Sequence, residues 1–242
     1  MNYVILKLFA MFFMLIDHIG FVFLQNEETI SQYIAFRRVG RLAFPIFCFL
    51  IVNGYLKTSN KFNYIKRLGL FAIISEPFFD VGFFNELTLE HQNVFFTLTF
   101  GFIVMMAIDK IKELFYREEH PIASNIIIIM FSFPIVGFFA ALGEELNIDY
   151  GWFGVLLISL MHFVYPDNSK VSKIKVCIMI IIANIIYAIM IQSTTEMYSI
   201  LSIFFILLYN DKKVKVNKFL KYFFYAFYPL HIFILYLIHL IV

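Results

Sequence analysis

Charged residues are scarce in this chain of 242 residues. Asp, Glu, Lys and Arg make up 15% of it, whereas ordinary soluble domains contain about 25%. Hydrophobic residues reach 62%, and 33 residues are Phe, which is more apolar surface than one small soluble core can bury. The composition therefore excludes a water-soluble globule and a disordered chain. It predicts that lipid covers many of these side chains.

Two further shortages exclude other classes of protein. The formal net charge is only +2, and the basic stripe typical of nucleic-acid-binding proteins is missing, so no nucleic acid partner is expected. The two cysteines, Cys48 and Cys177, both lie in apolar runs outside any metal or redox motif. They read as small hydrophobic residues, and neither a disulfide scaffold nor a metal site is predicted.

Long hydrophobic runs occupy most of the sequence. A transmembrane helix needs about 20 mostly apolar residues. Nine segments meet this condition: 3–24, 36–56, 63–84, 92–109, 121–142, 149–166, 172–191, 193–210 and 219–241. The first is not a cleavable signal peptide, because it lacks a basic N-terminal region and carries Asp17 and His18 where small residues would be expected. With no visible domain boundary, residues 1–242 are predicted to form one all-α domain, a polytopic helical bundle in the cell (inner) membrane.

The basic residues indicate the orientation, because short cytoplasmic loops are enriched in Lys and Arg. If the N-terminus is cytoplasmic, 16 of the 19 basic residues fall on the cytoplasmic side. These are Lys7, Lys57, Lys61, Lys66, Arg67, Lys110, Lys112, Arg117, Lys170, Lys173, Lys175, Lys212, Lys213, Lys215, Lys218 and Lys221. The exceptions are Arg37, which suits an interfacial anchor, with Arg38 and Arg41, which share a helix face. We therefore predict a cytoplasmic N-terminus and an outer C-terminus.

Ionisable side chains within the membrane are candidates for function, because each costs about 2.5–3.5 kcal/mol on insertion scales. Asp17 and His18 lie together in the outer half of the first segment. Lys7 is eleven residues before His18, which places both on one helix face about 16 Å apart. Alternatively, Lys7 only snorkels and His18 makes a helix–helix hydrogen bond.

The outer half of the other segments also collects polar groups. Arg41, Glu76, Asn93, Asp149 and Tyr150 all fall there under one topology. This alignment predicts a polar cavity near the outer leaflet with His18 at its edge. A neutral imidazole beside a carboxylate can act as a general base, and a nearby arginine can stabilise an oxyanion. The pattern therefore indicates acyl transfer.

Four polar residues of these segments also have structural interpretations. Glu76 could simply neutralise Arg41. The segments that begin near Asn93 and Asp149 could be plain interfacial caps. His231 lies mid-segment beside Pro229, where a satisfied interhelical residue is more common than a catalyst.

At these residues the chain resembles the TraX family, integral-membrane proteins associated with N-acetylation of conjugative pilin. The similar segments are 14–20, 40–47, 74–80, 92–97, 150–154, 208–210, 222–225 and 228–231. They run in order over nearly the whole chain. The family is similar in turn to the wider transmembrane acyltransferase superfamily, whose members commonly have a basic residue, ten intervening residues and a histidine in the first helix. Lys7 and His18 fit that pattern, and the stretch from Arg41 to Pro45 resembles the second-helix motif.

The resemblance implies an acetyltransferase that uses acetyl-CoA as donor. His18 would be the catalytic histidine, assisted by Asp17, and Arg41 would stabilise the oxyanion. The nucleotide end of the donor would meet a basic group at the cytoplasmic side: Lys7, Lys57, Lys61, Lys66 and Arg67. The substrate side would use polar residues of the outer half: Arg38, Glu76, Asn93, Asp149, Tyr150 and His231.

The acceptor stays open between a pilin-like peptide N-terminus and an envelope glycan, that is, an amine or a hydroxyl. A non-enzymatic hypothesis also stays open. In it the protein is a small transporter or proton-coupled permease, and Asp17, His18 and Glu76 carry protons. The clustering of charges in the outer half, rather than at the midplane, argues against the transporter, as does the lack of a clear internal repeat.

Overall fold

The computed structural model describes residues 1–212, 214 and 217–241, and this part of the chain is helical without a named strand. Within it lie ten α-helices: α1 (Tyr3–Phe23), α2 (Ile30–Gly40), α3 (Ala43–Lys57), α4 (Lys61–Phe84), α5 (Val94–Phe115), α6 (Pro121–Glu145), α7 (Gly151–Val164), α8 (Lys170–Ile191), α9 (Ser202–Leu207) and α10 (Lys218–His239). Short 3-10 helices, Glu27–Thr29 and Thr195–Leu201, precede α2 and α9. The prediction of an all-α, polytopic membrane bundle is confirmed.

The predicted segments differ from the observed helices in detail. Among the described residues, six helical stretches are long and apolar enough to cross a membrane: α1, Glu27–Lys57, α5, α6, α8 and α10. Segment 149–166 contains α7, whose 14 residues extend only about 21 Å. Segment 193–210 is a 3-10 helix followed by the six residues of α9. Segment 36–56 is broken at Arg41 and Leu42, where a turn separates α2 from α3.

Helix α3 lies at the centre of the bundle, and α6 and α8 lie at its edge. Of the 15 residues of α3, 11 are buried, including Phe49 and Tyr55. By contrast, α6 and α8 expose many large apolar side chains, such as Phe133 and Ile189. Water would not tolerate such a surface, so these helices face lipid.

One end of the bundle gathers residues that the sequence places in the cytoplasm. The backbone N–H of Asn210 donates to the Met1 carbonyl at 2.9 Å, and the Lys173 ammonium donates to the Tyr209 carbonyl at 2.7 Å. Lys57 pairs with Asp211 at the same place. We call this the inner end and the opposite one the outer end, following the predicted orientation. Lys213 and Lys215 lie outside the described residues.

Candidate functional site

A cavity of about 530 Å³ runs through the bundle beside α1. Its lining on α1 begins at Tyr3 and ends at Phe21, a distance of about 27 Å along the helix axis, which is close to the thickness of the hydrocarbon layer. Ionisable, amide and tyrosine side chains along it include Lys7, Asp17, His18, Arg37, Arg41, His91, Gln92, Glu144, Asn147, Asp149, Tyr150, Glu196 and Tyr228. The cavity therefore joins the inner-end cation Lys7 to the outer-half polar cluster.

His18 is held by His231 of α10. Its Nδ1 lies 2.6 Å from His231 Nε2, and the two rings meet edge to edge, nearly coplanar, with centroids 4.8 Å apart and an interplanar angle of 7°. His231 Nδ1 in turn lies 2.7 Å from the Phe227 carbonyl oxygen. A carbonyl can only accept, so His231 Nδ1 carries a proton, and in the neutral imidazole its Nε2 is then an acceptor.

This series of hydrogen bonds determines the tautomer of His18. Because His231 Nε2 accepts, His18 Nδ1 must donate to it, which leaves the lone pair of neutral His18 on Nε2. That nitrogen makes no hydrogen bond with a described residue and remains accessible. His18 is thus arranged as a base, with His231 as the group that orients it. The sequence placed His231 on the substrate side, but it lies behind His18 and does not line the cavity.

Asp17 contacts Arg37, and not the ring of His18. The Arg37 guanidinium donates to Asp17 Oδ2, and both side chains are largely buried. Helix α2 approaches so closely here that a Cβ added at Gly40 would overlap the Asp17 carboxylate. The expectation that Asp17 orients His18 is not what the hydrogen bonds show. Arg37, expected as an interfacial anchor, is instead half of a buried ion pair.

Arg41 lies at the turn between α2 and α3, with partners on two distant segments. Its Nε is 3.0 Å from Glu196 Oε1, and both side chains are about nine-tenths buried. Its Nη1 donates to the Tyr150 hydroxyl at 3.3 Å. The alternative in which Glu76 neutralises Arg41 is wrong for this arrangement, because Glu76 accepts from the Asn93 side chain and backbone N–H.

Tyr150 is held in a strained conformation. Its φ of 64° lies in the left-handed region that bulky residues rarely adopt. The ring stacks on Phe44 with centroids 3.6 Å apart and planes 4° apart, and this packing fixes the hydroxyl next to Arg41. Backbone strain of this kind is typical of functional sites.

The loop before α7 lines the outer part of the cavity. Gln92 and Ile148 form an isolated parallel bridge, and the Asp149 N–H donates to the Gln92 carbonyl at 2.8 Å. Thr97 donates its hydroxyl to the Asp149 carbonyl. Burial raises the pKa of the Asp149 carboxyl to about 6, although Arg41 and Arg37 oppose the shift. The loop thus adds an acidic group to the outer chamber.

Lys7 occupies the inner part of the cavity within aromatic rings. Its ammonium donates to the Tyr3 hydroxyl at 3.3 Å and lies 4.8 Å from the centre of the Phe224 ring and 5.4 Å from that of Tyr225. Cation–π contacts stabilise the charge without cancelling it. No carboxylate among the described residues forms an ion pair with Lys7, so the charge stays available to an anion.

The other basic residues predicted for the donor separate into two groups. Lys57 pairs with Asp211, and Lys61 pairs with Asp109 at 3.0 Å. Lys66 lies over the Phe62 ring, and Arg67 lies over the Tyr64 ring. None of these four lysine and arginine side chains lines the cavity.

Comparison with known proteins identifies the family to which the chain belongs. A family model described as TraX protein matches residues 3–239. This chain belongs to the TraX family. The resemblance found in the sequence is thereby confirmed, and the long cavity with His18 beside it is a feature of a TraX-family bundle.

One similar relative of this TraX-family chain is named "Probable fimbrial assembly protein FimC, serogroup H1", from Dichelobacter nodosus. The two are 27% identical over 176 residues, which cover 68% of this chain and 63% of the relative. The match therefore spans less than two thirds of the relative's length. No solved structure matches the chain.

Sequence reasoning about the TraX-family chain both missed and misplaced residues. Glu196 is not among the candidates from the sequence, although a single acid before an apolar run invites the same cost argument that singled out Asp17. Arg38 was assigned to the substrate, but it is exposed, lies over the Tyr198 ring and does not line the cavity. Glu76 and Asn93 pair with each other outside the cavity lining.

Proposed function

We propose that this TraX-family protein is an acetyltransferase of the cytoplasmic membrane. It transfers an acetyl group from cytoplasmic acetyl-CoA to an amine or hydroxyl acceptor on the outer side. The observation that carries the proposal is the continuous cavity, because it contains an unpaired cation at its inner part and an oriented imidazole in its outer half. A donor from one side and an acceptor from the other can meet at such an imidazole.

The reach of the donor agrees with the spacing of Lys7 and His18. The two residues are about 16 Å apart along α1. The pantetheine arm of coenzyme A has roughly thirteen bonds between its sulfur and the first phosphorus. An extended chain advances about 3.5 Å per three bonds, so the arm spans about 15 Å. With the phosphates near Lys7, the thioester reaches His18.

His18 performs the proton transfer in this proposal. Its Nε2 takes the proton of the acceptor N–H or O–H while the acceptor atom attacks the thioester carbonyl carbon. The C–S bond then breaks, and the coenzyme A thiolate takes the same proton back from His18. The products are the acetylated acceptor and free coenzyme A, and the enzyme is unchanged. The His231 hydrogen bond keeps the proton on Nδ1 in place throughout, so Nε2 is the nitrogen that accepts the proton and returns it.

Arg41 supplies positive charge where the tetrahedral intermediate becomes negative. Glu196 and the Tyr150 hydroxyl hold its guanidinium, so it needs little rearrangement during the reaction. Asp17 acts one step away by holding Arg37. The acidic groups Asp149 and Glu144 line the outer part of the cavity, where an acceptor would arrive.

We propose a pilin-like peptide N-terminus, in preference to an envelope glycan, as the acceptor. The name of the Dichelobacter nodosus relative refers to fimbrial assembly, and that favours a peptide of the fimbrial class. Both acceptor types therefore belong in the same assay, as a peptide with a free α-amino group, the same peptide with that group blocked, and a glycan.

Acetyl transfer by the purified protein in lipid nanodiscs tests the proposal. We expect transfer of label from acetyl-CoA to acceptor, and a fall of about 10²- to 10⁴-fold in kcat for His18→Ala. His239→Ala, which changes an exposed histidine of the same helix as His231, is the matched control and should keep full activity. Undiminished turnover in His18→Ala would refute the mechanism. Proton uptake without thioester cleavage would favour the transporter.

A further inference from the structure

Three adjoining helices each carry a cation near the inner end. Lys7 lies about 6 Å from the start of α1, Arg67 about 9 Å from the start of α4, and Lys221 about 5 Å from the start of α10. Helices α1, α4 and α10 begin at the same end and pack against one another. The three cations therefore lie at a similar depth, near the inner part of the cavity that Tyr3 and Lys7 line.

Arg67 and Lys221 lie next to residues that line the cavity. The Arg67 guanidinium lies 5.4 Å from the centre of the Tyr64 ring, and Tyr64 lines the cavity. Lys221 is one helical turn before Tyr225, which also lines the cavity and shares its helix face. Helices α4 and α10, which carry Arg67 and Lys221, pack against each other, so the two like charges lie on adjoining helices.

Neither of these two cations is neutralised within the part of the chain that the structure describes. Among the described residues, neither Arg67 nor Lys221 forms an ion pair with a carboxylate, and Arg67 Nε is buried without a hydrogen-bond partner. Lys61, also on α4, is paired with Asp109. Arg67 and Lys221 are therefore two cations without a carboxylate partner among the described residues, and Lys7 is a third, deeper in the cavity.

We infer that Arg67 and Lys221 form a phosphate-binding lip through which the donor reaches the cavity between α4 and α10. The inference rests on the proposed function and assigns its donor site. A guanidinium suits bidentate contact with phosphate oxygens, and a lysine adds a point charge. The diphosphate and 3′-phosphate of coenzyme A supply enough negative charge for all three cations. Lys57 and Lys61, neutralised by their own carboxylates, take no part.

Binding of coenzyme A to the full chain in phosphatidylcholine nanodiscs tests this lip. We expect Arg67→Gln and Lys221→Gln each to raise the Kd for coenzyme A about tenfold. Binding of S-acetyl-pantetheine, which lacks phosphate, should stay within about twofold of wild type, because it does not reach the lip. Lys110→Gln, which removes an exposed cation paired with Glu113, is the control and should change neither.

The remaining outcomes separate the lip from the proposed function. Unchanged affinity of both variants for coenzyme A would overturn the lip while leaving the acetyltransferase intact. Equal weakening for both ligands would also overturn it, since the effect would not depend on phosphate. If the lip holds a lipid headgroup instead, phosphatidylglycerol retained by the wild-type protein is lost from the variants with no change in coenzyme A affinity. A wild-type protein that binds no acetyl-CoA would remove the donor, and with it the proposed function.

Discussion

His231 allows the sharpest test of how His18 is oriented. Replacing it by alanine removes the acceptor of the 2.6 Å hydrogen bond and the ring that lies nearly coplanar with His18, at a centroid distance of 4.8 Å. His18 could then rotate, or could place its proton on Nε2, and either change removes the base from the acceptor. Replacement by glutamine keeps an oxygen that can accept from His18 Nδ1, so it should restore part of the activity.

The size of the effect follows from two losses. A buried hydrogen bond contributes about 1 kcal/mol, which is about fivefold in rate, and a displacement of about 1 Å at a reacting group costs up to about 10²-fold. We therefore expect kcat of His231→Ala to fall about 10- to 100-fold, less than for His18→Ala. The KM for acetyl-CoA should hardly change, because His231 does not line the cavity.

Steady-state acetyl transfer by nanodisc-embedded protein measures both constants. His239→Ala again serves as control, and thermal unfolding of each variant checks that the bundle is intact. An unchanged kcat in a folded His231→Ala would refute the orienting role. A higher KM with unchanged kcat would do so as well, since it would place His231 in donor binding.

Three further predictions concern other parts of the site. Gly40→Ala should lower both the unfolding temperature and kcat, because the added methyl group displaces the Asp17 carboxylate. Its control is Gly69→Ala, whose methyl group meets no atom within 4 Å and which should keep both the activity and the unfolding temperature. Equal behaviour of the two variants would contradict the close approach of α2. Glu196→Gln should destabilise the protein by about 3–5 kcal/mol, as for a broken buried ion pair, and denaturation that is unchanged would show the pair to be dispensable. Because the Asp149 pKa rises to about 6 on folding, the ionised carboxyl lowers the stability of the folded protein at pH 7. Asp149→Asn should therefore have a larger free energy of unfolding than wild type at pH 7, and the difference should narrow toward pH 5. A difference independent of pH would contradict this prediction.

The sequence predicts the fold well because long apolar runs leave few alternatives in a membrane. Every predicted segment contains a helix. The departures occur where the apolar signal is weakest: a turn at Arg41 divides the second segment, and 3-10 geometry replaces a regular helix around Glu196. Local backbone geometry at such polar positions depends on partners from other helices, which a single run of residues does not specify.

The candidate site could be predicted in its members but not in its pairings. The cost of burying charge singled out Asp17, His18 and Arg41, and all three line the cavity. Their partners come from segments far along the chain, such as Glu196 for Arg41 and His231 for His18. The same limit explains Lys61, whose sequence position near the inner end gave no sign that Asp109 neutralises it.

The position of a bound donor analogue tests the central claim most directly. A cryo-electron-microscopy structure with the ketone analogue of acetyl-CoA, in which a methylene group separates sulfur from the carbonyl, would capture the donor without transfer. The account predicts that the pantetheine arm lies along α1. It also predicts that the carbonyl carbon lies within about 3.5 Å of the position that the acceptor atom takes when it is hydrogen-bonded to His18 Nε2. An analogue bound outside the cavity, or with its carbonyl away from His18, would contradict the account.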